Sequence, residues 1–155
     1  MDEIYQHNQK RWNTLASANA LFSRPLLGLD AESAQLRIDP EGRLGNVQGK
    51  HVLCLASGGG QQSAAFALLG VAVTVLDISE GQLERDRQVA DHYQAAIKTV
   101  QGDMRDLSPF ADASFDIVGH PYSLNFVPDA RAVFREVARV LSAGGMYYVH
   151  CANPF

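Results

Sequence analysis

The residues best suited to chemistry are a run of three glycines and an aspartate that follows them. Gly58, Gly59 and Gly60 separate two apolar segments, and Asp77 ends the second of these segments. Glycines leave their backbone N–H groups open to a ligand, and the start of a helix favours negatively charged groups there. An aspartate at the tip of the next strand can accept hydrogen bonds from both hydroxyls of a ribose. This pattern predicts a nucleoside site. The alternative is that the three glycines only form a tight turn and that Asp77 caps the next helix.

The segments around the glycines are those that such a site requires. Residues 51–56 form a short apolar run, typical of a strand that is buried on both faces of a parallel sheet. Residues 61–69 have the composition of a buried helix, and Gly70 ends it. Residues 71–76 are predicted to form a second buried strand. A strand, a glycine turn, a helix and a strand in this order form the first half of a nucleotide-binding α/β sheet.

The rest of the chain continues this alternation. The predicted elements are helices at 2–15, 79–93 and 130–141 and strands at 97–100, 115–119 and 146–151. Ser79 and Asp129 are predicted to cap the two later helices, and the charge run at residues 84–87 is predicted to lie in water. Residues 25–49 are a connector in which no element is predicted. Alternating helices and strands imply parallel strands joined by right-handed crossovers.

The composition is that of one globular domain. The chain has 155 residues, of which 46% are hydrophobic and 19% charged, and its net charge is -4. This charge gives no electrostatic reason to expect binding to nucleic acid or to an anionic membrane. The histidines show no metal-ligand spacing, so no metal is predicted. Cys54 and Cys151 lie in predicted buried strands, and no signal or membrane-spanning run is present, which predicts a cytoplasmic protein.

Five stretches taken together resemble the class I S-adenosylmethionine-dependent methyltransferases of the small-molecule type. These stretches are residues 52–60, 73–79, 101–107, 114–118 and 134–145, in the order and at the spacing of the family. The resemblance implies an α/β fold with a doubly wound, Rossmann-like, mostly parallel sheet. It also implies the strand order 3-2-1-4-5, with helices on both faces. Residues 1–49 would form a cap on the acceptor side, and residues 50–155 would form the cofactor-binding core of a single domain.

The resemblance also implies which residues bind S-adenosylmethionine and its product, S-adenosylhomocysteine. Asp77 would bind the ribose, Asp103 would meet the adenine amino group, and Met104 would flank the adenine ring. The implied cofactor-binding residues are Ala56, Ser57, Gly58, Gly60, Asp77, Ile78, Asp103, Met104 and Gly119. Cys54 stands where the family commonly has an acid, and Ala56 replaces its usual first glycine. The methionine ammonium is therefore left to backbone carbonyls near Ala56 or Gly119, or to waters.

The N-terminal helix and the loops after the fourth and fifth strands are expected to bind a small-molecule methyl acceptor. The main candidates are Tyr5, Trp12, Tyr122 and Asn125, and the same loops also offer Ser123, His150 and Asn153. His120 is the candidate catalytic base for an acceptor that must lose a proton. Two alternatives stay open: Trp12 as an anchor to the core, and the loop at residues 120–122 as a wall of the cofactor pocket.

The predicted fifth strand raises the question of what covers the edge of the sheet. The family sheet usually continues with a helix and an antiparallel hairpin, and this C-terminal hairpin is missing here. The strand at residues 146–151 is therefore expected to have an open, apolar edge. Either the same strand of a second chain pairs with it, which would give a homodimer, or segments beyond Phe155 cover it.

Two other functions remain open at this point. Gly58-x-Gly60-x-x-Ser63 approaches the fingerprint of NAD(P)-dependent oxidoreductases, with Asp77 as the ribose acid. Asp103, after the third strand, argues against this function because a dinucleotide fold gives no reason for an acid there. The third possibility is a non-catalytic module that binds S-adenosylmethionine but has no complete acceptor site.

Overall fold

A computed structural model describes residues 2–152. Its strands are β1 (His51–Leu55), β2 (Ala72–Asp77), β3 (Ile97–Gln101), β4 (Phe115–Pro121) and β5 (Leu141–His150). Its helices are α1 (Glu3–Ser17), α2 (Ala31–Ile38), α3 (Gln62–Leu68), α4 (Glu80–Tyr93) and α5 (Ala130–Val140), with short 3-10 turns at Leu21–Ser23 and Leu124–Phe126. All strand pairs are parallel, and the sheet order is β3-β2-β1-β4-β5. The predicted Rossmann-like α/β fold and its strand order are confirmed.

The central position of β1 explains its unbroken apolar sequence. Val52 and Cys54 belong to one buried cluster, which includes Phe66 of α3. Leu53 and Leu55 belong to a second buried cluster, which includes side chains of α5. Successive residues of a strand point to opposite faces, so both faces of β1 are covered by helices.

Side-chain caps mark the beginnings of the predicted helices. The Asp2 carboxylate accepts a hydrogen bond from the Tyr5 N–H at 2.8 Å, at the start of α1. Ser79 Oγ accepts from the backbone N–H of the third residue of α4, and Asp129 Oδ1 accepts from a backbone N–H in the first turn of α5. These contacts confirm the predicted caps of α4 and α5, because each satisfies a backbone donor that the helix leaves free.

Helix α2 lies in the connector where no element was predicted. Asp30 and Ser33 form a capping box: Asp30 Oδ1 accepts from the Ser33 N–H at 2.8 Å, and Ser33 Oγ accepts from the Asp30 N–H at 2.9 Å. Within α2 itself, the buried residues are Ala34 and Ile38. This apolar stripe is too short to show a helical period in the sequence.

The charge run of α4 is only partly solvated, so the prediction for residues 84–87 is wrong at two of its four positions. Asp86 is fully buried, and Arg85 is half-buried. Arg85 Nη2 donates to the Ala16 carbonyl of α1 at 3.0 Å, while Asp86 lies under the glycine turn. The helix therefore packs through polar as well as apolar residues, and an apolar period does not detect polar contacts.

Two strands extend beyond their predicted bounds and move candidate residues. β4 continues to Pro121, which places His120 inside the sheet instead of in the following loop. β5 begins at Leu141, directly after α5. Cys151 follows β5 and is exposed, so its predicted burial in a strand is wrong. Asn153 lies outside the described residues.

Among residues 2–152, β5 pairs with β4 alone and forms one edge of the sheet. The expectation of an edge strand is therefore confirmed, whereas the expected homodimer stays a prediction. In the same part of the chain, no helix is both long enough and apolar enough to cross a membrane.

Candidate functional site

A cavity of about 590 Å³ lies at the carboxyl ends of the parallel strands. Its walls include residues 56–58 after β1, 77–78 at the end of β2, 102–105 after β3, and 121–123 with 126–127 after β4. Helix α1 adds a further wall with Ile4, Tyr5, Asn8 and Trp12. Open α/β sheets bind ligands at this edge, and the volume lies within the range of small-molecule sites.

The backbone N–H groups of the glycine turn are already bound within the protein. The Gly58 N–H donates to Oδ2 of Asp77 at 2.9 Å. The N–H groups of Gly59 and Gly60 donate to the two carboxylate oxygens of Asp86, at 3.2 and 3.1 Å. The prediction that these N–H groups are free for a ligand is therefore wrong. Two carboxylates of the chain occupy the place that a negatively charged ligand would take.

Gly59 and Gly60 are required because other parts of the backbone pack closely against them. Gly59 and Gly60 have φ values of 109° and 73°. A Cβ atom on Gly59 would come within 2.7 Å of the Phe22 carbonyl oxygen, and one on Gly60 within 2.8 Å of the Arg85 carbonyl oxygen. The absent side chains thus make room for the protein's own backbone. Ala56, where the resemblance implies a glycine, also has a left-handed backbone, with φ 45°.

Burial raises the pKa of both acids that hold the turn. The pKa of Asp77 rises to about 6, although hydrogen bonds from the Ser79 and Gly58 N–H groups act against the rise. The pKa of Asp86 rises to about 7, against a hydrogen bond from the Ser63 hydroxyl at 2.5 Å. Of the two acids, Asp77 lines the cavity. Its carboxylate is therefore the one that a ligand can contact.

Asp103 lines the cavity after β3 and forms an ion pair with Arg105. Arg105 Nε donates to Asp103 Oδ1 at 3.0 Å, and Nη2 donates to Oδ2 at 2.5 Å. Arg105 Nη1 also donates to the Asp2 carboxylate at 2.7 Å. Hydrogen bonding to Asp103, and then to Asp2, raises the pKa of the guanidinium. The pair orients the Asp103 carboxylate and connects this wall to the start of α1.

Helix α1 is held against the cavity by polar side chains at the junction of β2 and α4. Gln9 Nε2 donates to the Ile78 carbonyl at 3.2 Å. Asn13 Oδ1 accepts from the Ser79 hydroxyl at 2.7 Å and from the Gly81 N–H at 3.1 Å. The helix is therefore fixed beside Asp77 and Ile78 and encloses this side of the cavity.

Aromatic side chains form the other end of the cavity. Trp12 meets Phe126 edge to face, with ring centroids 5.7 Å apart, and Asn8 Nδ2 donates to the Phe126 carbonyl at 2.9 Å. Tyr5 and Tyr122 also line this space. The structure thus brings together three of the four predicted substrate-binding residues, Tyr5, Trp12 and Tyr122, on one cavity that also contains Asp77 and Asp103. Their binding roles stay predictions.

Four predicted site residues are absent from the described lining of the cavity: Gly60, Gly119, His120 and Asn125. Gly60 lies behind the turn, where its N–H is bound by Asp86. Gly119 lies in β4, and a Cβ atom there would come within 2.7 Å of the Tyr148 hydroxyl. Asn125 accepts a hydrogen bond from the Ala152 N–H at 3.2 Å. Ala56, Ser57, Gly58, Ile78 and Met104 do line the cavity, as do Asp77 and Asp103.

His120, the predicted base, has no contact with the cavity. The residue is fully buried, and Nδ1 lies 2.9 Å from the Tyr147 hydroxyl. Burial lowers its pKa to about 4, so the ring is neutral at neutral pH. Its Nε2 has no hydrogen-bond partner among the described residues. The catalytic role of His120 stays a prediction that its position does not support.

Three buried oxygens at the cavity lack hydrogen-bond partners among residues 2–152: Ser57 Oγ, Gln82 Oε1 and Ser123 Oγ. Buried polar atoms are normally hydrogen-bonded, so these oxygens are candidates for ligand contacts. Gln82 was not predicted as a site residue, whereas Ser123 was among the residues expected to bind the acceptor. The signal for Gln82 was its place in the first turn of α4, three residues after the Ser79 cap and close to Asp77. Within the same residues, no group of three or more His, Cys, Asp or Glu could hold a metal ion.

Comparison with known proteins points to one family. A family model described as a methyltransferase domain matches residues 53–149. YbaJ of Bacillus subtilis (strain 168), named as an uncharacterized methyltransferase, is 37% identical, over 99% of this chain and 64% of its own length.

Solved structures share the same fold. The PH0226 protein of Pyrococcus horikoshii OT3 has a TM-score of 0.70 and 27% identity, over 87% of this chain and 65% of its own. CrArsM of Chlamydomonas reinhardtii, an arsenic(III) S-adenosylmethionine methyltransferase, has a TM-score of 0.64 and 30% identity, over 67% of this chain and 39% of its own. The chain therefore spans less than two thirds of the length of each of these proteins.

Proposed function

The chain belongs to the methyltransferase domain family, and we propose that it transfers a methyl group from S-adenosylmethionine to a small-molecule acceptor. S-adenosylmethionine would bind in the cavity at the carboxyl edge of the sheet and leave as S-adenosylhomocysteine. The observation that carries this proposal is the hydrogen bonding of the glycine turn, because it distinguishes the two cofactor classes considered for the chain.

The glycine turn supports a cofactor that has no phosphate groups. A dinucleotide places its diphosphate on the free N–H groups at such a turn. Here Asp77 and Asp86 bind the N–H groups of the turn, and both carboxylates are buried. A diphosphate would meet like charge at this point. The NAD(P)-dependent alternative is therefore disfavoured, whereas a nucleoside with an uncharged ribose end fits.

The cavity residues divide into proposed roles by position. Asp77 would accept hydrogen bonds from the ribose hydroxyls, and Asp103 would accept one from the adenine amino group. Ile78 and Met104 would flank the adenine ring. The unpaired oxygens of Ser57 and Gln82 would accept hydrogen bonds from the hydroxyl or ammonium groups of the cofactor. The backbone of Ala56, beside Ser57, stays the proposed contact for the methionine end.

Methyl transfer requires the protein to align the two reactants and requires little covalent catalysis. S-adenosylmethionine supplies a methyl group on a positively charged sulfur, and transfer is an in-line displacement by the acceptor. The chain would hold the two reactants in line and exclude water, which can supply a large part of the rate enhancement. Helix α1, residues 121–123 and residues 126–127 enclose the side of the cavity where the acceptor would lie.

Calorimetric binding tests this proposal directly. S-adenosylmethionine and S-adenosylhomocysteine should bind, and NADH and NADPH should not. The Asp77→Ala variant should lose about 1–3 kcal/mol of binding free energy for both adenosyl compounds, because hydrogen bonds to a charged group are lost. Asp91→Ala, an exposed acid at the far end of α4, is the control. Binding of a nicotinamide cofactor alone would contradict the proposal.

A non-catalytic module that holds S-adenosylmethionine is the second candidate. It is favoured by the position of His120, which is fully buried and absent from the described lining of the cavity. Mass spectrometry of methylated products, over a panel of small acceptors, separates the two functions. Binding without any turnover would favour the module.

We also propose what covers the edge of the sheet and in which compartment the protein is found. The open edge of β5 would pair with the same strand of a second copy or with another segment of the natural protein. The unpaired thiols of Cys54 and Cys151 fit a reducing compartment such as the cytoplasm. Trapping of thiols in intact cells should find Cys151 reduced, whereas a disulfide at Cys151 would contradict that location.

A further inference from the structure

The mouth of the cavity is rimmed by exposed apolar side chains. Phe22 and Tyr122 are 70% and 67% exposed, and Ile4 and Phe126 are 42% and 41% exposed. All four line the cavity. Isolated exposed apolar residues are common, but a set of them around one concave site marks a surface that binds an apolar ligand.

One aromatic residue of this rim, Phe126, is held in place by other residues of the cavity. Trp12 packs edge to face against Phe126, and Asn8 fixes the Phe126 carbonyl through its own side-chain amide. One N–H of the Asn8 amide is therefore already engaged. Ser123 Oγ is buried and without a partner among the described residues, so it is one polar atom that is available on this side. The acceptor end thus offers large apolar area and few polar contacts.

The described lining of the cavity contains no suitable proton acceptor at this end. Its titratable side chains are Tyr5, Asp77, Asp103, Arg105 and Tyr122. Asp77 is bound by two backbone N–H groups beside the glycine turn, and Asp103 is paired with Arg105. A phenol is a poor proton acceptor at neutral pH. His150 lies beside Tyr122, with ring centroids 5.6 Å apart, but is not in the described lining. Since Asp77 would be occupied by the ribose, a substrate whose nucleophile must be deprotonated on the enzyme would find no base among the lining residues at this end.

We infer, on the basis of the proposed methyl transfer, that the acceptor is a flat, apolar aromatic molecule whose nucleophilic oxygen or sulfur ionises in solution before it binds. Its ring would pack against Trp12, Tyr122 and Phe126. Its proton is released to water. The anion then forms a bond to the methyl carbon, and the carbon–sulfur bond of the cofactor breaks with both electrons going to sulfur. One anion and one sulfonium cation become two neutral groups.

An apolar wall suits this reaction for an electrostatic reason. Opposite charges attract more strongly in a region of low dielectric than in water, and the charges disappear as the bond forms. A poorly solvating site therefore favours the transition state, in which charge is already partly neutralised, over separated ions.

Acceptors of graded acidity provide the test. Ring-substituted thiophenols and phenols would be offered with S-adenosylmethionine between about pH 5 and about pH 9, and methylated product would be measured by mass spectrometry. We expect the midpoint of the kcat/KM profile to shift from one acceptor to the next with the acidity of that acceptor. Glutathione, a charged and non-aromatic thiol, should not be methylated.

Variants of the rim test where the ring binds. Phe126→Ala and Tyr122→Ala should each raise the acceptor KM about ten-fold and leave S-adenosylmethionine affinity unchanged within about two-fold. Phe134→Ala is a matched control, because Phe134 is 42% exposed but lies on α5 outside the cavity lining. An equal effect in Phe134→Ala would refute the location of the acceptor.

Other outcomes separate this inference from the function on which it rests. A midpoint that stays constant for all acceptors, and that either His120→Gln or His150→Gln removes, would overturn the inference and restore a protein base. Binding of S-adenosylmethionine without turnover of any aromatic acceptor would overturn it as well. Failure to bind S-adenosylmethionine at all would instead refute the proposed function.

Discussion

Asp86 is the residue that holds the glycine turn from below. Its two carboxylate oxygens accept hydrogen bonds from the Gly59 and Gly60 N–H groups, and the Ser63 hydroxyl donates a third. A buried acid inside a run of charged helix residues has the same sequence appearance as a solvated one. Only its contacts reveal that it supports the turn on which the cavity depends.

The raised pKa values of Asp77 and Asp86 predict how stability depends on pH. Their pKa values in the folded protein are about 6 and about 7, whereas an aspartate in water has a pKa of 3.8. The stabilisation that this shift contributes is fully present below about pH 4 and is lost as pH rises through 6 to 7. Urea unfolding between about pH 5 and about pH 8 should therefore show a falling free energy of unfolding.

Substitution of Asp86 separates its contribution to this pH dependence of the free energy of unfolding from that of Asp77. Asp86→Asn should be less stable at pH 5, because an amide cannot accept all three hydrogen bonds, but its stability should fall less as pH rises. Asp91→Asn, at an exposed position of the same helix, should keep the slope of the unmodified protein. An identical slope in Asp86→Asn would show that Asp86 titrates normally.

Ala56 provides a second prediction at the scale of a residue. Its φ of 45° is strained for alanine but not for glycine. Ala56→Gly should therefore leave the free energy of unfolding unchanged or raise it by about 1 kcal/mol. Ala67→Gly, in the regular helix α3, should lower it by about 0.5–1 kcal/mol. Equal losses in the two variants, measured by denaturant titration, would contradict the role of the left-handed backbone.

Helix α1 is the element that connects the two ends of the cavity. At one end Asp2 reaches Arg105, which holds Asp103, and further along Trp12 contacts Phe126. Few α1 side chains are deeply buried, so the helix is held against the cavity mainly by these contacts with other elements. The helix should therefore open locally at a lower free energy than the sheet.

Loss of one polar contact should loosen α1. Asn13→Ala removes the acceptor for the Ser79 hydroxyl and the Gly81 N–H and should cost about 1–2 kcal/mol. Hydrogen exchange across α1 should become faster, while exchange in β1 stays slow. Thr14→Ala removes a hydroxyl that is bonded only to Lys10 within the same helix and should change exchange much less. Unchanged exchange in Asn13→Ala would show that this contact does not hold the helix.

At the scale of the whole molecule, the edge strand β5 decides whether the chain associates. Backbone groups on its outer side have no strand partner among residues 2–152, and open edges of this kind pair readily. If a second copy pairs there, Val149→Lys should dissociate the dimer, because a charge would enter the contact. Light scattering at micromolar concentration gives the measurement.

A substitution at the opposite edge provides the comparison. Thr99→Lys lies in β3, which forms the other edge of the same sheet, and should leave the mass unchanged. A monomer in the unmodified protein, with β5 amides protected from exchange, would contradict pairing between copies.

The sequence alone determined the parts of this protein that depend on local physical chemistry. The apolar runs of β1 and β2 required burial on both faces, and Ser79 and Asp129 offered side-chain acceptors at the start of helices. Those signals predicted the parallel α/β sheet, and the glycine turn with Asp77 predicted a nucleoside site at its carboxyl edge, to which the family resemblance added Asp103.

Tertiary structure decided what depends on contacts between distant residues. Asp86 binds the glycine turn and His120 is buried within an extended β4, although neither position carries a local signal. Gln82 presents an unpaired oxygen at the cavity, and its place in the first turn of α4 was its one signal in the sequence. Helix α2 was missed because it buries too little apolar surface to produce a recognisable period. A side chain's role in this site depends on which neighbours the fold brings within hydrogen-bonding distance, and residue type and spacing do not specify those neighbours.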